Sequence, residues 1–324
     1  MNRPKISVIV SAFNNADVLP RAIDSVRIDR GEDLEIVVVD DGSSDATSRV
    51  ADAIAREDNR VRAFRLEQNR GCGGAYNFAI ENARGDWLAV LDADDWYEPH
   101  RLRRLLQAAE AVGADLVCDE LQLFDVGLQK VIERTNFTGG ARLRNISASF
   151  LFKNDTTLLR HRLGYVKLMY RRAFIGAHQI RYDEAHRIGQ DFVFLAELLL
   201  SGAKAVIVPE ALYVYCLRRG PVSQAFSPHA RATGRSSLVV QGCDELLQKY
   251  GGAMSDVERS LLIRRKELLL LDQVYLDAEK SLREGRIVEG FKKIALNPKI
   301  WPFPFKTVAD RLHYASLARR LARR

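Results

Sequence analysis

The sequence predicts an α/β fold with a doubly wound, mainly parallel and Rossmann-like sheet, followed by a C-terminal helical extension. Over the first hundred residues, short apolar runs rich in β-branched side chains alternate with segments of helical periodicity. This alternation is typical of parallel strands joined by helices. Beyond Ser227 the apolar spacing becomes helical. We therefore expect one domain over 1–225 and a basic helical extension over 226–324.

The composition of each segment predicts its structure in turn. Strand-like runs occur at 6–10, 35–39, 61–66, 87–91, 114–118, 206–208 and 213–215. Helical spacing occurs at 16–28, before 55, and at 71–82, 98–112, 190–201 and 261–278. A segment with three prolines, 297–304, interrupts the extension, and a short basic helix is expected after it.

The charge of the chain is unevenly distributed. The 324 residues carry a net charge of +7, which by itself would suggest a nucleic acid or an anionic membrane as partner. Residues 1–225 hold 30 basic and 31 acidic residues, whereas residues 226–324 hold 19 and 11. The near-neutral first domain, which lacks a basic–aromatic stripe, argues against a nucleic-acid-binding protein.

Composition also bears on the cellular compartment. No stretch approaches 18 consecutive apolar residues, and the N-terminus lacks the apolar length of a signal peptide. The four cysteines are far apart and form no CxxC pair, so free thiols in a reducing cytoplasm are expected rather than disulfides or structural zinc.

Two acidic loops follow predicted strands, where ligands bind in open α/β sheets. The DADD segment at 92–95 offers three carboxylates, which could hold Mg²⁺ or Mn²⁺ against a diphosphate or form a solvated acidic turn. The DDGSSD segment at 40–45 could accept a hydrogen bond from a nucleobase or ribose, or simply begin a helix.

Taken together, six ordered segments resemble motifs of the inverting family 2 glycosyltransferases of the GT-A fold, and the resemblance covers about 1–225. They are the strand and loop at 7–14, DDGSSD at 40–45, NRG at 69–71 with the residues to 79, GDWLAVLDADD at 85–95, GQDF at 189–192, and PEALYVY at 209–215.

The resemblance implies a nucleotide-diphospho-sugar donor and roles for the matching residues. Ser11 and Phe13 would line the nucleotide pocket, and Asp41, with Asp40, would contact the base. Arg70 would lie near the nucleotide or its phosphates.

The remaining matches concern the metal and the base. Asp92 and Asp94 would form the DxD pair, with Asp94 the direct ligand of a divalent cation and Asp95 an alternative. Asp191 would be the general base that deprotonates the acceptor hydroxyl, although taken alone it would be interpreted as the cap of the helix that starts near Phe192. Gln190 departs from the family, which often has glutamate there.

Acceptors of such enzymes are often saccharides on lipid carriers, which suggests assembly of exopolysaccharide, capsule or lipopolysaccharide. The aromatic and basic segment 301–324 has the composition of an interfacial anchor, so a cytoplasmic enzyme peripheral to the inner face of the membrane is expected. The alternatives are a solvated helix or a protein–protein surface, such as one that pairs two copies of the chain. A nucleotidyltransferase should carry a glycine-rich basic loop near the N-terminus, and residues 11–16 contain neither feature.

Overall fold

The computed structural model describes residues 3–28, 33–217 and 236–322. The chain forms two compact units. The first unit comprises Met1–Phe124, Glu133–Ser147 and Tyr165–Leu217, and the second comprises Asp125–Ile132, Ala148–Gly164 and Arg218–Arg324. The domain boundary expected at 225/226 lies outside the described residues. The two earlier segments of the second unit, at 125–132 and 148–164, carry no composition signal that would separate them from the first.

The described residues contain ten strands in one sheet. The strands are β1 Ile6–Ala12, β2 Leu34–Asp40, β3 Val61–Arg65, β4 Trp87–Asp92, β5 Trp96–Tyr97, β6 Leu116–Asp125, β7 Lys130–Arg134, β8 Arg144–Ile146, β9 Met169–Arg171 and β10 Ala205–Leu217. The helices are α1 Leu19–Arg27, α2 Thr47–Glu57, α3 Gly71–Asn82, α4 Arg101–Val112, α5 Ala148–Asn154, α6 Arg172–Ala177, α7 Gln190–Leu200, α8 Ser236–Tyr250, α9 Asp256–Arg283, α10 Ile287–Ala295 and α11 Pro302–Ala322.

The sheet follows the order β3-β2-β1-β4-β9-β6-β10-β5, with β7 beside β6 and β8 beside β10. Strands β3, β2, β1 and β4 are parallel, and β9 is antiparallel to both β4 and β6. This arrangement confirms the α/β fold class, with its four parallel strands side by side in one half of the sheet.

Burial explains why these segments form the core. Every residue of β2 is buried, and β1 is buried apart from Ser11, as expected for parallel strands covered on both faces. Helix α1 turns Leu19, Ala22, Ile23 and Val26 inward at helical spacing.

Strand β10 corrects the prediction of two separate strands at 206–208 and 213–215. The intervening residues stay extended because their backbone groups form hydrogen bonds with other parts of the chain rather than within a turn. Leu212 N–H donates to Asp119 Oδ2, Leu212 O accepts from Glu98 N–H, and Ala211 O accepts from Gln122 Nε2. The strands β5, β8 and β9 were not predicted, because two or three residues are too few for a clear alternation. Strand β7 was not predicted either, because only Val131 and Ile132 of its five residues are apolar.

The second unit is helical, as expected for the extension. The long helix α9 begins with a capping box between Ser255 and Glu258. Its buried Arg265 donates from Nη2 to Asp155 Oδ1 at 2.8 Å, which ties α9 to the residues after α5. The last helix is 21 residues long rather than short, because prolines are tolerated in a first turn, where their missing N–H costs no bond.

None of the helices in the described ranges is both long enough and apolar enough to span a bilayer.

A close backbone approach beside β1 gives a prediction about stability. A methyl group on Gly85 would lie 2.5 Å from the Ser7 nitrogen, whereas one on Gly176, in α6, would have no heavy atom within 4 Å. We expect G85A to lower the free energy of unfolding by about 1–3 kcal/mol through overpacking. The same substitution at Gly176 should raise stability by up to about 1 kcal/mol, because alanine favours a helix. Urea denaturation followed by circular dichroism tests this, and equal midpoints would contradict it.

Candidate active site

The carboxyl ends of the central parallel strands bring the predicted site residues to one edge of the sheet. In the register of the sheet, Ala12 of β1 lies opposite Asp40 of β2, and Ser11 lies opposite Asp92 of β4. The two acidic loops therefore begin on either side of the end of β1, where ligands bind in open α/β sheets.

The loops after β1 and β2 are joined by hydrogen bonds. Asn14, with a left-handed φ of 54°, donates its N–H to Ser43 Oγ at 2.9 Å. Asn14 Oδ1 in return accepts from the N–H of Ser44 at 2.9 Å. Asparagine tolerates this backbone conformation better than most residues. These reciprocal bonds join the loop that carries Phe13, whose side chain is 46% exposed, to the loop that begins at Asp40.

Asp40 and Asp41 are both buried, and their environments differ. Asp40 Oδ1 accepts from Ser43 N–H at 3.1 Å, while its Oδ2 accepts no hydrogen bond from the described residues and has Arg65 Nε at 3.7 Å. Asp41 Oδ1 accepts from Arg70 N–H at 2.7 Å. Burial raises the pKa of Asp41, against the backbone hydrogen bonds from Arg70 and Gly71 that lower it. Asp41 therefore links this loop to the start of α3.

Arg70 itself forms a surface ion pair. Its Nη2 donates to Glu184 Oε1 at 2.6 Å and its Nε donates to Glu184 Oε2 at 3.0 Å. Both side chains are well exposed. The guanidinium thus connects the start of α3 to the loop before α7.

The three carboxylates after β4 have different surroundings. Asp92 and Asp94 are partly exposed, whereas Asp95 is buried. Asp95 Oδ2 accepts from Tyr213 Oη at 2.7 Å, and its Oδ1 accepts from Cys216 N–H at 2.7 Å. Burial, followed by the charges of Asp94 and Asp92, raises the pKa of Asp95 well above its usual value.

Asp92 is held by two tyrosines from different elements. Tyr76 of α3 donates its hydroxyl to Asp92 Oδ1, and Tyr213 of β10 accepts the Asp92 N–H at 3.1 Å. Burial, with the Asp92 charge next in size, raises the pKa of Tyr76 well above its usual value, so the phenol stays a donor. Sequence reasoning did not identify either tyrosine as part of the site.

Asp191 lies in the first turn of α7, after Gly189 with a φ of 77°. Its Oδ2 accepts from Lys167 Nζ at 2.8 Å. The neighbouring Gln190 Oε1 accepts from Gly73 N–H at 3.1 Å, so the residue that departs from the family's usual glutamate contacts the first turn of α3.

Lys167 connects Asp191 to Asp92. Its Nζ lies 2.8 Å from Asp191 Oδ2 and 2.8 Å from Asp92 Oδ2. The lysine is 5% exposed. Burial lowers its pKa, but Asp191 and Asp92 outweigh that effect and raise the pKa well above its usual value. Sequence reasoning did not identify Lys167 as a site residue. A lysine two residues before a strand is too common a pattern to identify a site.

The profile described as "Glycosyl transferase family 2" matches residues 7–176, more than half of the chain. The chain belongs to glycosyl transferase family 2. The family assignment expected from the motifs is thereby confirmed, and this protein is a glycosyltransferase.

Relatives and solved structures agree with this assignment. The chain is 34% identical to the succinoglycan biosynthesis protein ExoO of Rhizobium meliloti, over 99% of this chain and 88% of that protein. It is also 34% identical to ExoU of the same organism, over 67% and 64%. A mannosyltransferase of Pyrobaculum calidifontis, solved with GDP-Man and Mn²⁺, has a TM-score of 0.62 at 16% identity, over 99% of this chain and 88% of that one. S. aureus TarS 1–349, solved with UDP-GlcNAc, has a TM-score of 0.59 at 21% identity, over 84% and 72%. These structures confirm the expected GT-A fold.

Proposed function

We propose that this family 2 glycosyltransferase moves a sugar from a nucleotide-diphospho-sugar to a hydroxyl of a saccharide or lipid-linked acceptor, with inversion at the anomeric carbon. The reaction would serve the assembly of a bacterial surface polysaccharide, as the names of the succinoglycan relatives suggest. One observation carries the proposal. The carboxylates of Asp92 and Asp191, from distant parts of the chain, both lie 2.8 Å from the Lys167 nitrogen, beyond the carboxyl end of β4.

The nucleotide side of the proposal rests on the loops after β1 and β2. The buried Asp40 Oδ2, which accepts no hydrogen bond from the described residues, is a suitable acceptor for a nucleobase imide or a ribose hydroxyl. Asp41 would assist it, and the exposed ring of Phe13, next to Ser11, offers a surface for the base. Arg70 would lie toward the phosphates.

A divalent cation fits the carboxylates after β4. Oxygen donors suit Mg²⁺ and Mn²⁺, and burial, followed by the charges of Asp94 and Asp92, raises the pKa of the neighbouring Asp95. This is the crowding of negative charge that a cation would offset. Asp94, with Asp92, would hold the ion, while Asp95, whose oxygens bond to Tyr213 and Cys216, would fix the loop. When bound, the cation would stabilise the negative charge of the leaving diphosphate.

One general base, Asp191, would be enough for the transfer step. The Asp191 carboxylate would take the proton of the acceptor hydroxyl as its oxygen attacks the anomeric carbon. The bond from that carbon to the diphosphate oxygen breaks on the opposite face, and its electron pair leaves with the nucleoside diphosphate. One displacement gives inversion, and no covalent sugar–enzyme intermediate is needed. The first turn of α7 also favours a negative charge at Asp191.

The donor and the metal can be tested together. Purified protein would be offered UDP-, GDP- and dTDP-sugars with Mn²⁺ or Mg²⁺, and release of the nucleoside diphosphate would be measured. We expect release with one nucleotide class and its loss on chelation, and we expect D94N to require a higher metal concentration. Full activity in excess EDTA would contradict the metal assignment, and no release from any donor would contradict the proposed transfer.

The base assignment predicts the behaviour of D191N. We expect its kcat for transfer to fall by at least about 100-fold, because general base catalysis typically contributes that much. The Kd for the donor nucleotide, measured by calorimetry, should change little. The matched control is D86N, at the exposed aspartate that precedes β4 and pairs with Arg3. D191N activity within threefold of the wild type would refute the assignment.

We also propose that the helical extension binds an anionic membrane surface on the cytoplasmic side, where a lipid-linked acceptor would lie. Large apolar side chains of α10, α11 and the segment between them are exposed: Val288 at 82%, Phe291 at 61%, Trp301 at 52% and Phe305 at 71%. The exposed Lys292 and Lys299 lie among them in the chain. Exposed apolar groups interleaved with lysines suit the interface of an anionic bilayer.

Membrane binding can be measured with a surface variant that keeps the buried residues of the extension. We expect F291S/W301S/F305S to lose most of its co-sedimentation with vesicles containing phosphatidylglycerol, because burial of apolar area drives interfacial binding. The control is I28S, at an exposed isoleucine after α1. Unchanged sedimentation of the triple variant would refute the membrane proposal. Loss of a dimer on light scattering, without an effect on vesicles, would assign the same surface to a second copy of the chain.

A further inference from the structure

A buried lysine lies between the two carboxylates to which the proposed function gives different tasks. We propose that Lys167 is a positioning residue for glycosyl transfer, whose ammonium fixes the base Asp191 relative to Asp92 on the donor side. This inference rests on the proposed function, and it goes beyond the roles that the motifs imply, because Lys167 lies outside all of them.

The backbone of Lys167 is held on two sides. The next residue, Leu168, continues the antiparallel register of β9 with β4, in which Ala89 lies opposite Met169, and its carbonyl accepts from Val90 N–H at 3.0 Å. The carbonyl of Lys167 accepts from Arg101 Nη2 at 2.8 Å.

Arg101 is itself fixed. It is fully buried, its Nη2 lies 2.7 Å from Asp119 Oδ1, and its guanidinium lies over the ring of Tyr97, 4.3 Å from the centroid. Because the start of the lysine side chain is anchored in this way, the position of its ammonium is set by the sheet rather than by the carboxylates alone.

Two carboxylates need such a cation to stay close. Asp92 ends β4 and Asp191 begins α7, and each oxygen is 2.8 Å from Nζ, so the two oxygens lie within twice that distance of each other. Like charges at this range repel, and they do so more strongly in a site with little water. A lysine ammonium, with three donors on one nitrogen, can bond two carboxylates at once. Arginine instead favours a bidentate pair with a single carboxylate.

The contact also orients the base. Lys167 donates a hydrogen bond to Oδ2 of Asp191, so the acceptor hydroxyl would approach the other oxygen, Oδ1. Because Lys167 Nζ also bonds Asp92, it would fix the position of Asp191 Oδ1 relative to the bound donor. Lys167 therefore acts through Asp191 and need not touch the sugar. Its loss should impair the chemical step more than the binding of either substrate.

The test compares K167M, which keeps the length of the side chain but removes the ammonium, with K5M as matched control. Lys5 precedes β1 at the opposite end of the strand and pairs on the surface with Glu110. With the donor and metal that support wild-type transfer, we expect kcat of K167M to fall by about 30- to 300-fold, because a base displaced by about 1 Å costs on the order of 100-fold. The KM for the donor should stay within about threefold. K167R should recover part of kcat, since it restores a cation.

A double-mutant cycle separates a positioning role from a general loss of structure. If Lys167 acts through Asp191, adding K167M to D191N should lower kcat by less than about threefold, because residues that act as a unit are strongly non-additive. A crystal structure of K167M should show the Asp191 carboxylate turned away from Asp92, which is a readout independent of turnover.

The outcomes distinguish this inference from the proposed function. If the wild type transfers no sugar, the proposed function fails. If the wild type is active and K167M keeps kcat within threefold, or if the fold-losses of K167M and D191N multiply, the role of Lys167 is refuted. If K167M fails to fold, as judged by circular dichroism, the cycle is run with K167R, and a multiplying loss there refutes the inference in the same way.

Discussion

The parallel register of β1 with β2 and β4 is the constraint on which the site depends. Because the three strands run in the same direction and pair without a shift, Asp40 and Asp92 fall on either side of the end of β1. A slip of one residue would turn every side chain of a strand to the other face of the sheet. The nearly complete burial of β1 and β2 makes such a slip costly, so the hydrophobic core also fixes the spacing of the acidic groups.

That spacing concentrates negative charge, and the surrounding residues compensate for it in different ways. Asp95 is held by the Tyr213 hydroxyl and the Cys216 amide, whereas Asp92 and Asp191 share the ammonium of Lys167. A hydrogen bond from a neutral phenol leaves the local charge unchanged, but a lysine neutralises one charge of two. The net excess that remains beside Asp94 would favour the proposed divalent cation.

Local patterns predicted the fold and the acidic residues, because each lies within one short stretch of sequence. The apolar runs of β1, β2 and β4 and the carboxylates that follow them are of this kind. The partners of those carboxylates could not be predicted, because Tyr213 lies 118 residues from Asp95 and Lys167 lies 24 residues from Asp191. Such contacts arise from the antiparallel strands β9 and β10, whose pairing depends on tertiary structure. The prediction of two separate strands at 206–208 and 213–215 was wrong for the same reason. Side chains from distant parts of the chain form hydrogen bonds with the backbone between them.

The separation of charge along the chain has a physical reason of its own. A site that binds an anionic diphosphate cannot rely on an excess of carboxylates unless cations balance them locally, and Lys167 supplies such a cation within the first unit. The basic surplus of 226–324 is then not required for the chemistry.

Among the described residues of α10 and α11, this basic surplus accompanies apolar side chains that are exposed to solvent. Such a combination lowers solubility unless a partner covers it. An anionic lipid surface would satisfy both the lysines and the apolar groups, whereas a second copy of the same basic surface would bring like charges together. Charge complementarity therefore favours the membrane over self-association as the partner of the extension.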